Sequence, residues 1–110
     1  MWCMTLNEFG DLLNTINDLN VFHCFAEQQE YPYLVYHAPN PIYDTASSKP
    51  YRERIPVELA HFSKMQSHPT FERLKEVLFE NDLFFNVIST YDHDSEVFIN
   101  QLELTIWRNL

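Results

Sequence analysis

Glycine is nearly missing from this chain: Gly10 is the single example in 110 residues. Loops that cradle phosphates bring the backbone against the ligand through several glycines, so mononucleotide and dinucleotide fingerprints are excluded. Cysteine is equally scarce. Cys3 and Cys24 have no CxxC spacing and no Cys/His array around them, which argues against a structural zinc site and against a disulfide scaffold. No H-E-x-x-H, G-x-S-x-G or paired-carboxylate motif occurs. No run approaches the about eighteen apolar residues that a membrane span needs, and Met1-Trp2-Cys3-Met4 lacks a basic region and an apolar region of the kind that open a secretory leader. The expectation is a soluble protein of a reducing compartment.

Positive charge is scarce as well, with seven Lys and Arg against sixteen Asp and Glu and a net charge of −9. Neutralising a phosphate backbone requires clustered bases, so nucleic-acid binding over a large area is excluded. The few bases are not spread evenly. Residues 1–48 hold six acids and no base, residues 49–64 hold four bases against two acids, and residues 65–110 hold eight acids against three bases. A short basic strand in an acidic chain suits contact with an acidic surface, on another copy or on another protein.

What is present is a core. A chain of this length suits one domain, residues 1–110, and can bury roughly two-thirds of its unfolded surface without metal or disulfide support. Nine Phe and six Tyr supply bulky side chains for it. Thr5 followed by Glu8 is a capping box, and Leu6, Phe9, Leu13 and Ile16 recur at helical spacing behind it, with an end expected near Asp18-Leu19-Asn20. Val21 to Phe25 and Tyr33 to Ala38 read as strands. Pro39 to Pro50, rich in Pro, Ser and Asn, reads as a long loop in which Ile42 and Tyr43 are the apolar residues.

From Tyr51 the alternation is strict. Tyr51, Ile55, Val57 and Leu59 share one face, while Arg52, Arg54 and Glu58 share the other. Pro56 interrupts that strand, so an edge position, a bulge or a bend is expected there. Ser67 is the expected N-cap of a second helix with Pro69 in its first turn and Phe71, Leu74 and Leu78 as its buried stripe, stopping at a left-handed Asn81. Leu83 to Thr90 and Glu96 to Trp107 read as two further strands around a polar turn at Tyr91 to Ser95. The expected fold is α+β, a mainly antiparallel sheet of four to five strands with two helices in the order α-β-β-β-α-β-β.

Candidate chemistry is thin. Asp92, His93, Asp94 and Glu96 contain oxygen and imidazole ligands, but a polar turn stabilised by side-chain to backbone hydrogen bonds accounts for them, and no metal or other cofactor is expected. His61 and His68 flank a connection without a nucleophile placed by any motif, so no catalytic residue is assigned. Phe22, Phe25, Phe84 and Phe85 lack the basic groove of a base-stacking platform and read as core.

Several segments together resemble the tail-completion family of long-tailed phages and prophages, also described as tail-terminator, head-tail joining or minor capsid proteins. They are Tyr31-Pro32-Tyr33-Leu34-Val35-Tyr36 before a polar stretch, Arg54-Ile55-Pro56-Val57-Glu58-Leu59, a helix ending Leu78-Phe79-Glu80-Asn81, then Leu83-Phe84-Phe85 and a closing strand around Leu102-Glu103-Leu104. Met4-Thr5-Leu6 with Phe9 resembles how such proteins begin, which makes Met1 to Cys3 a short extension. The resemblance implies a non-enzymatic virion protein that assembles as a six-fold ring, closes the tail tube and meets the head-side connector, with DNA at most passing through. It implies a place in the virion tail, and in the host cytoplasm during assembly. A ring needs two complementary patches on each subunit, and the candidate contact residues are Ile42, Tyr43, Lys49, Arg52, Arg54 and Glu58. A reading from a different class is a small acidic inhibitor that binds a host enzyme by mimicking nucleic acid.

Overall fold

A computed structural model describes residues 4–24 and 30–110. The expectations placed on Cys3, on Phe25 and on Met1 to Cys3 as an extension fall outside the described residues. The first helix, α1 (Leu6–Leu13), opens on the expected capping box: the Glu8 N–H donates to Thr5 Oγ1 at 3.2 Å, and the Thr5 N–H donates to Glu8 Oε1 at 3.3 Å. It stops earlier than its periodicity suggests, because Asn14 caps it by donating Nδ2 to the Gly10 carbonyl at 2.9 Å. Ile16, in the turn that follows, is still buried.

Two strands come next, β1 (Asn20–His23) and β2 (Tyr33–His37), and they pair in parallel. The stretch expected as a long loop is instead mostly strand. β3 (Ile42–Ala46) folds back through Ser47 and Ser48 onto β4 (Lys49–Ser63), so the described residues form six strands in the order α-β-β-β-β-α-β-β. Both serines sit at positive φ, 52° and 65°, as a tight two-residue hairpin turn requires. That turn normally announces itself with Asn-Gly, and here Ser-Ser takes its place. The prolines flanking the segment hide the strand further.

The second helix, α2 (Pro69–Glu80), is capped by His68 and not by Ser67, since the imidazole Nδ1 accepts the Thr70 N–H at 3.1 Å. Asn81 caps its end with a negative φ, and the left-handed residue is Asp82 at φ 57°. β5 (Phe85–Asp92) and β6 (Val97–Asn109) close the chain as an antiparallel hairpin.

The sheet order is β1-β2-β4-β6-β5, with β3 also pairing β4. β4 is therefore central, which corrects the edge position offered for Pro56. The expectation had a local basis. β3 pairs β4 as far as Arg54 and β2 pairs it from Glu58, so on that margin Pro56 lies in a gap between two strands while its other neighbour is Thr105 of β6. A residue with no N–H to donate is tolerated where a margin has no strand to receive one.

Both helices lie on one side of the sheet. Phe9 and Leu13 of α1 and Phe71, Leu74, Val77 and Leu78 of α2 form one cluster with alternate strand residues: Leu34 and Tyr36, then Ile55, Val57 and Leu59, then Leu102, Leu104 and Ile106. Gly10 is the point of closest approach. A Cβ there would collide with the Tyr36 hydroxyl, and the Tyr36 ring is held between Phe9 and a stacked His23, so the lone glycine is what lets the strand tyrosine pack under α1. No residue of β3, and none of β4 before Ile55, belongs to this cluster. The β3–β4 hairpin is an arm of the sheet that runs past its core, and Tyr51, expected on the core face, is 48% exposed there. Fifteen residues of β4 at about 3.3 Å each span about 50 Å, which accounts for the longest of the molecular extents, 52 × 26 × 20 Å.

Candidate interaction surface

The side of the sheet away from the helices carries polar and charged residues in rows that cross the strands. Directly opposed residues of antiparallel neighbours share a face. One row runs His37, Glu58, Glu103, Asn86; the next holds Pro56 and Thr105; the one after runs Ile42, Arg54, Trp107. Beyond it Asp44 faces Arg52. Shallow hollows of about 480 and 280 Å³ open on this face, and Glu58 and Glu103 line both.

The expected contact residues are all placed, but not all together. Arg52 and Arg54 do share the open face and converge on Asp44, which sequence reasoning missed. Arg54 binds it through Nε and Nη2, both at 3.1 Å, and Arg52 donates Nε to the same carboxylate at 2.6 Å. The guanidinium of Arg52 is the main reason the Asp44 carboxyl is held below its ordinary range. Two cations share one anion, so this end of the face keeps one net positive charge. The signal for Asp44 was its place as the one acid between Glu30 and Glu53, across a two-residue turn from Arg-x-Arg; it becomes legible only once Ser47-Ser48 is read as a hairpin.

Ile42 joins that group, whereas Tyr43 does not. Tyr43 lies opposite Glu53 on the helix-side parity of the arm, where a hydrogen bond to Glu53 and the charge of that carboxylate raise its phenol pKa. Arg108 completes the cluster by donating Nε to Glu53 Oε1 at 3.0 Å. Lys49 begins β4 at the tip of the arm and is exposed. Glu58 stands apart from the arginines, two residues beyond Pro56, with His37 Nε2 at 3.6 Å. Across from it on β6 is Glu103, an unforeseen like charge.

The other polar groups are braces. His61 is fully buried, with Nε2 at 2.8 Å from Thr70 Oγ1, which in turn lies 2.8 Å from His68 Nδ1. Since His68 Nδ1 already accepts the Thr70 N–H, the hydroxyl donates to it and His61 Nε2–H donates to the hydroxyl. This leaves His61 Nδ1 bare in the core without a partner. Burial, aided by the nearby His68, pushes the His61 pKa down to about 4. The pair ties β4 to the start of α2, and the His61 side chain is itself sealed from solvent. At the β5–β6 turn Asp92 accepts from the Asp94 N–H and the Ser95 hydroxyl, at 3.1 and 2.7 Å, and the Ser95 bond leads the lowering of its pKa. Among the described residues no group of three His, Cys, Asp or Glu side chains comes together as a metal site.

Phe84, expected in the core, is 78% exposed. Leu83 and Phe85 turn toward the helices, so the residue between them points out. Ile88 of the edge strand β5 is exposed on the open side as well, opposite Gln101, whereas the exposed Val87 and Tyr91 lie opposite Leu102 and Phe98 on the helix side. Among the described residues no helix is long and apolar enough to cross a membrane. A search of protein-family models and of curated proteins finds no match to the chain.

Proposed function

We propose that this chain is a structural subunit of a phage or prophage tail, one that terminates the tail tube and joins it to the head-side connector by assembling as a ring. The observation that carries this reading is the β3–β4 arm. It extends beyond the core and presents Ile42, Tyr43 and Tyr51 at 43%, 51% and 48% exposure. An isolated domain gains nothing from holding large apolar side chains on a strand pair outside its core, whereas a subunit buries them against a neighbour. Lys49 at the tip and the acidic remainder of the surface supply the two unlike patches that a head-to-tail ring requires. The resemblance in segment pattern supplies the identity of the assembly. A net charge of −9 suits a lumen through which DNA slides without adhering. The subunit acts in the virion tail after assembly in the host cytoplasm, and its partners are further copies of itself, the tail tube and the connector.

Deletion of the gene from the phage that carries it tests the proposal. Heads and tails that form but fail to join are the expected outcome, and normal virions would overturn it. The acidic-inhibitor reading predicts normal virions together with a monomeric protein that captures a host enzyme, so the same deletion separates the two.

A further inference from the structure

We infer that the open face of the sheet is a self-association surface, on which a second copy of this chain docks face to face about a two-fold axis crossing the strands at Pro56 and Thr105. The inference goes beyond the ring and does not depend on it. A ring contact joins two different patches on different sides of a subunit, whereas the opposed charges here lie on one and the same face.

The first support is an electrostatic conflict within the chain. Glu58 and Glu103 are directly opposed on neighbouring strands, an arrangement that is unfavourable in an isolated sheet. Glu58 keeps 54% of its side chain exposed, and among the described residues the adjacent His37, 43% exposed, is the one cationic candidate within 4 Å of it. The second support is the excess positive charge two rows away, where Arg52 and Arg54 share the single carboxylate of Asp44.

The third is the spacing. Arg54 and Glu58 lie two residues on either side of Pro56, and Trp107 and Glu103 lie two residues on either side of Thr105. A two-fold through the Pro56–Thr105 row therefore lays the Ile42–Arg54–Trp107 row of one copy over the His37–Glu58–Glu103 row of the other, twice. Arg54 meets Glu58 of the second copy, beside Glu103, and each carboxylate pair receives a cation. Pro56 and Thr105 on the axis are compact side chains that allow close approach. Sheets packed face to face lie about 10 Å apart, a gap that an arginine from one side and a glutamate from the other span together. The two longer molecular extents, 52 and 26 Å, leave room for the about 800 Å² per partner that a standard interface buries.

Charge exchange within one chain tests the contact. The mass of the full chain in solution is measured by sedimentation at low and high salt, at a concentration on the order of 100 µM to capture weak association, with thermal melts to check folding. The wild type is expected to dimerise at low salt and to loosen as salt screens the pairs. Glu58→Arg and Arg54→Glu alone should each weaken dimerisation by about tenfold or more. Combining the two substitutions in one chain swaps the partners of each cross-axis pair, so opposite charges meet again and dimerisation should return. Should Arg54→Glu fail to fold, Glu103→Arg reads the same contact away from Asp44.

A monomeric wild type, single variants that associate like the wild type, or a double variant no better than its parents would each overturn the inference. Hexamers indifferent to all these changes would overturn it while leaving the ring intact. Two-fold dimers without hexamers would support it and count against the ring.

Discussion

The two faces of this sheet are built from alternate residues of the same strands, yet they follow opposite rules. On β6, Leu102, Leu104 and Ile106 are buried under the helices, while Gln101, Glu103 and Thr105 between them are exposed. On β4 the same alternation runs from Glu53 to Ser63. The covered face is largely apolar, and its polar intrusions among the described residues are hydrogen-bonded: neutral His61 to Thr70, Ser63 to the Met65 carbonyl, Asn100 to the Ser89 hydroxyl and Glu53 to Arg108. The open face carries an uncompensated pair of like charges and two arginines sharing one acid. Folding is explained by the first face and is indifferent to most of the second. A surface that folding does not require is free to be shaped by partners.

Substitutions sharpen that contrast. The largest effect is expected on the covered face, where Leu102→Ala removes a fully buried side chain and should cost about 2–5 kcal/mol in urea unfolding. A loss below about 1 kcal/mol would mean that the helices do not pack as described.

The pH dependence comes next in size. Folded His61 stays neutral down to about pH 4, while the unfolded chain takes up that proton near pH 6.5. Between these values the unfolded state binds more protons. The stability held above about pH 6.5 should therefore fall as pH drops toward 4, by on the order of 3 kcal/mol. Melting temperatures across this window should decline in the wild type and flatten in His61→Gln, and equal slopes would reject the assignment.

Gly10→Ala sets two effects against each other. Alanine favours a helix by about 1 kcal/mol over glycine, but overpacking against Tyr36 costs about 1–3 kcal/mol. Net destabilisation is expected, with partial recovery when Tyr36→Phe is added; a more stable Gly10→Ala would show that the ring yields. The smallest effect belongs to the open face. Thr105→Ala should stay within about 0.5 kcal/mol of the wild type, and a larger loss would place that face among the folding determinants.

Legibility in the sequence followed the same division. Strict alternation from Tyr51 onward, the helical stripe of Phe71, Leu74 and Leu78, and the Thr5–Glu8 box are strong local signals, and the α+β scaffold was readable from them. The arm was not, because Ser47-Ser48 supplies a turn usually written with glycine and Pro39, Pro41 and Pro50 mask a strand whose pairing is set by β4. His68 displaced Ser67 as a cap for a tertiary reason: its imidazole is tied through Thr70 to His61 on another element. Arg52, Arg54 and Glu58 were identified singly, but their meaning lies in register. Asp44 between the arginines and Glu103 across from Glu58 are facts of strand pairing that no spacing along the chain encodes.

The central claim is that the covered face makes the fold and the open face makes the contact. It is tested most directly by sedimentation and thermal melting of the full-length Glu58→Lys/Glu103→Lys variant beside the wild type. A monomeric variant with an unchanged melting temperature is the predicted result, and a variant that keeps the wild-type mass, or one that is strongly destabilised, would contradict the claim.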